Sequence, residues 1–266
     1  MQLHSAGVDH LNLTGIPASI RVTTTSGVHA VPMAEHALGM LLALTKELLQ
    51  FHDLQSKTEW RHEGFGGSGI DLLRGQTIGI LGYGSIGREI ARLARALGMR
   101  VLAAKRDPNQ CKDQGFRLPG TGDPDGALPD AYYSTENLDG LLSESDIVVD
   151  VLPLTPETEG AIGPHAFQAM KAGATFLNLG RGLTVDETAL VGALHSGHLK
   201  AAGLDVTAIE PLPSSSPLWR LPNVLITPHI SGNFLDEFCM ILFQENLDRY
   251  AKGQPLLNEV DRSRGY

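Results

Sequence analysis

The sequence predicts an α/β protein, a doubly wound parallel sheet with helices on both faces and a second, incomplete domain. Three observations lead to it. A short β-branched run, Thr77 to Leu81, is followed by Gly82, Gly84 and Gly87 at the spacing G-x-G-x-x-G and then by a helical pattern. From Ser145 onward, short apolar runs alternate with helical stretches, the rhythm of a parallel sheet with crossover helices. Long amphipathic segments, about 32–51 and 233–252, lie outside that rhythm.

At the start of the chain, LHSAGVDH (3–10) reads as a turn leading into a short helix, and IRVTTT (20–25) as a strand closed by Ser26-Gly27. One long helix is expected from Pro32, a residue suited to a first helical turn, to Phe51. Ala34, Ala37, Leu38, Leu41, Leu42, Leu48 and Leu49 share its apolar face. It would pack on the core and connect two domains. Gly64, Gly66, Gly67 and Gly69 read as a loop before the strand at 77–81. In the next helix Ile90, Leu93, Ala94 and Leu97 form one stripe, and Gly98 closes it as a C-cap. A second strand follows at 100–104. The Pro-, Gly- and Asp-rich stretch 107–133 is long for a connection and reads as a surface loop, and its carboxylates Asp123 and Asp125 alone make no metal site. Further strands are predicted at 147–152, 175–179, 203–206 and 224–227, with helices at 163–170 and 186–196. Leu235, Phe238, Cys239, Leu242, Phe243 and Leu247 form the apolar stripe of the last helix.

Bulk properties narrow the class of function. A net charge of −9 with no basic run argues against nucleic acid or an anionic membrane as a partner. Cys111 and Cys239 supply neither a disulfide framework nor metal-ligand spacing, so no metal is expected and the setting is a reducing one. MQLHSAGVDH lacks the regions of a signal peptide, and no apolar run is long enough for a bilayer. A cytoplasmic protein is the expectation.

The glycine motif carries the first chemistry. Gly82 permits a tight turn, Gly84 lets the backbone approach a pyrophosphate, and Gly87 lets helix and strand pack closely. The anion then sits on the helix N-terminus. This strand–turn–helix context points to a dinucleotide held by a Rossmann-type domain. In such domains an acid ending the second strand holds the ribose 2′-OH of NAD. Here that place reads Ala103-Ala104-Lys105-Arg106-Asp107. Lys105 and Arg106 suit the extra 2′-phosphate, so NADP is favoured and NAD remains possible. In the alternative, both bases are solvated loop charges and Asp107 reaches the ribose.

Ligands of open α/β sheets bind at the carboxyl ends of the strands. Arg181, Glu210 and His229 all follow predicted strands of one sheet. A guanidinium between Gly180 and Gly182 offers a planar fork to a carboxylate or a developing oxyanion. His229 is a proton donor and acceptor suited to neutral pH, and Glu210 would orient it. Reduction of a carbonyl by a nicotinamide needs a proton and a stabiliser for the oxygen, and these residues provide both. Residue types alone leave open a structural histidine, a Glu210-Pro211 that is only a turn, and an arginine that binds cofactor phosphate.

The stretches SAGVDHL, GVHAVPMAEHALGMLLAL, GQTIGILGYGSIGREIARLARALGMRV, SDIVVDVLPLTPET, FLNLGRGLTVDETALVGAL, AAGLDV, EPLPSSSPLW and NVLITPHISG resemble the D-isomer-specific 2-hydroxyacid dehydrogenases. That family contains glyoxylate/hydroxypyruvate reductases, phosphoglycerate dehydrogenases and formate dehydrogenases. The resemblance implies reversible hydride transfer between NAD(P)H and a small 2-keto acid, giving the D-2-hydroxy acid, in a homodimer. It assigns the catalytic roles to Arg181, Glu210 and His229. Amides near Ala6 and Gly7 would hold the substrate carboxylate together with Arg181 and His229. Tyr83, Gly84, Ser85 and Ile86 would lie along the pyrophosphate, Leu152 and Pro153 on the adenine side, with Thr158 closing over it. Leu179, Gly180, Arg181, Asp205, His229 and Gly232 would surround the nicotinamide. The family begins with strand–helix units ahead of the SAGVDH turn, whereas this chain opens at that turn. The expected division is therefore a substrate-domain remnant at 1–31, a cofactor domain at 32–232 that includes the linker helix 32–51, and a returning C-terminal helix at 233–266. The rival expectation is a catalytically impaired fragment, or a corepressor-like protein that binds NAD(P) without turnover.

Overall fold

The structure, a computed structural model, describes residues 1–60, 72–233 and 236–262. Its centre is a parallel sheet of β1 (Thr77–Leu81), β2 (Arg100–Lys105), β3 (Ala131–Ser134), β4 (Ile147–Asp150), β5 (Ala174–Asn178), β6 (Leu199–Leu204) and β7 (Val224–Ile226). The strand order is β3-β2-β1-β4-β5-β6-β7. It reverses between β1 and β4, which opens a crevice at their carboxyl ends. The register aligns Leu81 with Asp150, Asp150 with Asn178, Asn178 with Leu204 and Leu204 with Ile226. The loops leaving these strands therefore rise from one level rim.

Both faces of the sheet are covered, which is why its central strands β1, β4 and β5 are buried throughout rather than alternating. On one face lie α1 (Ala30–Thr45) and α3 (Ser85–Ala96), whose Ala34, Ala37, Leu41, Ile90 and Ala94 pack with Ile78, Ile80 and Val101. On the other lie α4 (Asp139–Glu144), α5 (Pro164–Ala169) and α6 (Glu187–His195), whose Leu141, Phe167, Leu190 and Leu194 pack with Leu81, Val148 and Phe176.

The long helix expected at 32–51 is two helices. α1 ends at Thr45, Glu47 takes a left-handed φ of 55°, and α2 (Leu48–Ser56) starts afresh. Packing explains the break. Full burial of a Leu- or Met-sized side chain contributes about 1.5–3 kcal/mol, and α1 buries Met33, Met40 and Leu41 whereas α2 buries only Leu54. Leu48 and Leu49, expected on the core face, are exposed. No helix forms within 3–10. The Ser5 hydroxyl donates to Gly7 O and Thr25 N donates to Ser5 O, which holds this stretch open. A 3-10 turn appears later, at Leu13–Gly15, capped by Asn12. The strand expected at 20–25 is reduced to bridges of Thr23 with Gln2 and Glu259, because its backbone groups are shared among separate segments. β3 and α4 lie where only loop was expected or nothing was assigned. The expected glycine loop at 64–69 and Leu235 fall outside the described residues. On α7 (Asp236–Ala251) the expected stripe is covered only in part: Leu242 is buried, but Phe243 and Leu247 are exposed.

The chain's first residues and its last described ones pack together. Val8, Val22 and Val260 form a small core, Arg21 pairs with Glu259, and the Arg262 guanidinium donates to the carbonyls of Leu13, Ile16, Pro17 and Ile20. The connection between β2 and β3 joins this unit to the sheet. Phe116 packs with Val28 and Leu242, and its N–H donates to Asn258 Oδ1. At its other end the connection is fastened to α3. The buried Arg88 donates to the carbonyls of Asp123 and Cys111, and Glu89 accepts from Gly122 N. The Tyr83 hydroxyl donates to Asp123, whose carboxylate also accepts from Ala127 N and Leu128 N. The residues read as a surface loop thus include a buried carboxylate, Asp123, that organises the whole connection.

Candidate active site

The glycine turn links β1 to α3. Gly82 adopts φ 98°, and a Cβ there would lie 2.8 Å from Val151 O. A Cβ on Gly87 would lie 2.4 Å from Gly82 O, so only glycine lets the helix approach the strand this closely. Gly84 differs. It begins α3 without a side-chain cap, and a Cβ on it would meet no protein atom within 4 Å. The first-turn N–H groups of a helix lack partners within it. An uncapped start beside open space fits an anion such as a pyrophosphate. Ser85 and Ile86 form that first turn, and the Ser85 hydroxyl meets that of Ser26 at 3.3 Å. Tyr83 turns inward: its ring is buried, so only its backbone faces the loop.

At the end of β2, Lys105 Nζ donates to the carbonyl of Gln110. Burial, then the charge of Arg88, push its ammonium below the ordinary lysine value. Arg106 is exposed beside it and helps to lower the Glu157 carboxyl, whose largest influence is a hydrogen bond with Thr155. Across the crevice Leu152 is buried, and the Thr158 hydroxyl donates to Pro153 O at 2.6 Å while accepting from Thr155 N. This closes the 153–158 turn on itself.

Arg181 follows β5. Its Nε and Nη2 donate to the Asp9 carboxylate at 3.1–3.3 Å, and Nη1 donates to Gly180 O. Burial opposes ionisation of Asp9, but the hydrogen bonds and charge of Arg181 outweigh it and hold the carboxyl below its ordinary value. The guanidinium passes so close to the Ser5-Ala6-Gly7 turn that a Cβ on Gly7 would lie 2.2 Å from Nη2. Gly182 packs on the next loop, where its Cβ would lie 2.0 Å from the Thr207 carbonyl. That loop carries Glu210, whose Oε1 accepts from Thr207 N at 3.0 Å. Glu210 Oε2 meets His229 Nδ1 at 2.7 Å. A carboxylate accepts only, so His229 carries its proton on Nδ1 when neutral. The structure thus brings Arg181, Glu210 and His229 to adjacent loops of one rim, joined by packing at Gly182.

His229 has φ 54°, and its N–H donates to Asp205 O and Thr227 O. The Asp205 side chain is fully buried. It accepts from Thr227 Oγ1, Ile230 N and Ser231 N, and His36 stands 3.8 Å away. Burial opposes its ionisation, but these bonds prevail and lower its carboxyl. It is placed to hold the His229 loop. Gly232 O accepts from His29 Nδ1 at 2.8 Å, and burial lowers the His29 imidazole. Leu179 is buried in the core beneath α1 and α3.

A further carboxyl lies beneath Arg181. Asp150, at the end of β4, is fully buried; its Oδ1 accepts from Leu152 N, and its Oδ2 lies 2.6 Å from Thr184 Oγ1. Burial pushes it up to about 7. Sequence reasoning missed Asp9, Asp150, Asn178, Thr184 and Thr207 as supports of the site. Asp9, Asp150, Asn178 and Thr184 lie within the stretches SAGVDHL, SDIVVDVLPLTPET and FLNLGRGLTVDETALVGAL, and Thr207 lies in none of the stretches quoted for the resemblance. Among the described residues, no cluster of three or more His, Cys, Asp or Glu is placed to hold a metal ion, and no helix is long and apolar enough to cross a membrane.

Residues 38–231 match the family described as D-isomer specific 2-hydroxyacid dehydrogenase, NAD binding domain. D-3-phosphoglycerate dehydrogenase of Archaeoglobus fulgidus is 33% identical over 258 residues, which is 96% of this chain and 46% of that protein. Glyoxylate/hydroxypyruvate reductase B of Yersinia enterocolitica is 35% identical over 86% of this chain and 66% of that protein. The present chain therefore spans about half to two thirds of these relatives. A crystal structure of a D-isomer specific 2-hydroxyacid dehydrogenase from Xanthobacter autotrophicus Py2, in complex with NADPH and MES, superposes with a TM-score of 0.83 at 32% identity, covering 100% of this chain and 79% of that one. The chain belongs to the D-isomer-specific 2-hydroxyacid dehydrogenase family.

Proposed function

We propose that this member of the family reduces a small 2-keto acid of the glyoxylate/hydroxypyruvate type to the D-2-hydroxy acid, with NADPH preferred over NADH. The observation that carries this reading is the His229–Glu210 hydrogen bond of 2.7 Å on the rim where Arg181 stands. When bound, a nicotinamide dinucleotide supplies the hydride. Glu210 accepts a hydrogen bond from His229 Nδ1–H and so leaves Nε2 for the substrate, where a charged imidazole gives its Nε2 proton to the carbonyl oxygen. Arg181, braced by Asp9 and Gly180 O, grips the substrate carboxylate and stabilises negative charge on the carbonyl oxygen. The amides of Ala6 and Gly7 face the same carboxylate. The small residues of the Ser5-Ala6-Gly7 turn leave room for a short acid.

The test is consumption of NADPH, with NADH in parallel, by the purified chain given glyoxylate, hydroxypyruvate and bulkier 2-keto acids. Turnover fastest with NADPH and a short acid is expected. A folded protein that binds NADPH but turns over none of these acids would instead be a binding protein.

Lys105 and Arg106 support the NADP preference, because a 2′-phosphate beside them gains charge-assisted hydrogen bonds worth about 1.5–3 kcal/mol each. Lys105 has three N–H donors, so it can bond the phosphate while keeping its bond to the Gln110 carbonyl. Changing both to alanine is expected to weaken NADPH binding by roughly tenfold or more while NADH binding changes little. Fluorescence titration measures both affinities, and an unchanged ratio would put the 2′-phosphate elsewhere.

A further inference from the structure

The hydroxyl of Thr184 stands between two acceptors. Its Oγ1 lies 2.6 Å from Asp150 Oδ2 and 2.7 Å from the backbone oxygen of Arg181. A threonine hydroxyl has one proton to donate, and a carbonyl oxygen can only accept. With Asp150 ionised, both neighbours are acceptors, and one of the two short contacts goes without a proton. With Asp150 protonated, the carboxyl donates to Thr184, Thr184 donates to Arg181, and both contacts are hydrogen bonds.

We infer that Asp150 is a positioning residue: protonated, it completes a relay through Thr184 to the carbonyl of Arg181 and anchors the turn that bears the substrate-binding guanidinium. Its consequence for catalysis rests on the reductase reading above. The surroundings favour the neutral acid. Asp150 is fully buried, and its other oxygen accepts from Leu152 N in either state. The residues paired with it on the neighbouring strands are Leu81 and Asn178, neither of them ionisable. Of the charged groups near the turn, Arg181 points to Asp9 and Gly180 O, Asp186 caps α6, and Glu187 accepts from Ala208 N. None of these is bonded to Asp150. Burial takes its carboxyl up to about 7, so the relay breaks within the pH range where an enzyme is assayed. Above that range Thr184 turns to the carboxylate, and the Arg181 carbonyl keeps the Asn178 amide at 3.1 Å as its side-chain donor.

Asp150→Asn tests the relay, because an amide oxygen still accepts from Leu152 N while the amide N–H₂ donates to Thr184 at every pH. The carboxyl rises from an unfolded value of ~3.9, so the stability it gives is complete below that value and is lost as pH rises through about 7. The melting temperature of the parent should therefore fall relative to Asp150→Asn between pH 5 and 9, by about 5 °C or more. Parallel curves overturn the inference. For catalysis, the ratio of kcat/KM in Asp150→Asn to that in the parent should rise roughly fivefold over pH 6 to 9, and dividing the two profiles removes any pH dependence that the two proteins share. A constant ratio alongside diverging melting curves would make Asp150 a structural acid and overturn its positioning role. A parent that folds but shows no turnover counts against the reductase reading, and the melting curves still decide the relay. Should Asp150→Asn not fold, Thr184→Ser, which keeps a hydroxyl, should keep the parent's pH dependence of kcat/KM, and Thr184→Val should lose its alkaline step. Identical profiles for Ser and Val would also overturn the relay.

Discussion

Replacing His229 with alanine is expected to lower kcat by about 10²–10⁴-fold while leaving NADPH affinity nearly intact. The two effects separate because the backbone and the ring of this residue have different duties. The backbone is held by its own N–H, which donates to Asp205 O and Thr227 O, and by the buried Asp205 carboxylate, which accepts from Ile230 N and Ser231 N. None of these bonds uses the imidazole. The ring is half exposed, and its partner in the protein is Glu210, so its removal costs little packing and leaves the loop in place. Steady-state kinetics and fluorescence titration on one preparation give both numbers. An equal loss of turnover and cofactor affinity would show that His229 builds the pocket rather than moving a proton in it.

The second large effect is expected from Gly182→Ala. An added Cβ would lie 2.0 Å from the carbonyl carbon and oxygen of Thr207 and 2.5 Å from Ala208 N. These are backbone atoms and cannot rotate away as the end of a side chain would. One of the two turns must move, at a cost of about 1–3 kcal/mol or more. Either movement separates Arg181, beside residue 182, from Glu210, whose carboxylate is anchored on Thr207 N. The variant should therefore lose stability in a thermal melt and lose turnover by more than the stability change explains. Full activity in a stable variant would mean that the rim tolerates a wider spacing than the structure shows.

The parts of this protein written in local sequence were legible. Thr77 to Gly98 announces strand, turn and helix within a single stretch, and Gly82 and Gly87 there each meet a local steric demand. Arg181, Glu210 and His229 could be placed on one edge because each follows an apolar run, and a parallel sheet brings the ends of such runs together. What was not legible depends on partners distant in sequence. The hydrogen bonds of Asp9 to Arg181 cross 172 residues, and that of Thr184 to Asp150 crosses 34. Neither pair leaves a periodic signal. α1 and α2 read as one helix because Leu48 and Leu49 continue the apolar stripe, and only the lack of a surface to cover them ends the helix at Thr45. β3 was hidden because its four half-buried residues, AYYS, follow a stretch rich in turn formers. Arg88 and Glu89 look like ordinary solvated helix charges until the β2–β3 connection is seen to close over them.

That closure limits how the protein can be re-engineered. A designer wishing to change dinucleotide preference would be tempted to transplant the end of β2 with its following connection as one cassette. Arg88 and Glu89 are 2% and 1% exposed, and they are satisfied in good part by backbone groups of that connection. A foreign cassette without an equivalent of Asp123 and Gly122 would leave a guanidinium, a carboxylate and the Tyr83 phenol facing into the fold with lost partners, at a cost of several kcal/mol. The connection and the first turns of α3 are therefore one inheritable part. Exchange of Lys105 and Arg106 alone gives up the Lys105 bond to the Gln110 carbonyl but keeps the partners of Tyr83, Arg88 and Glu89, whereas any larger graft has to carry those three residues along.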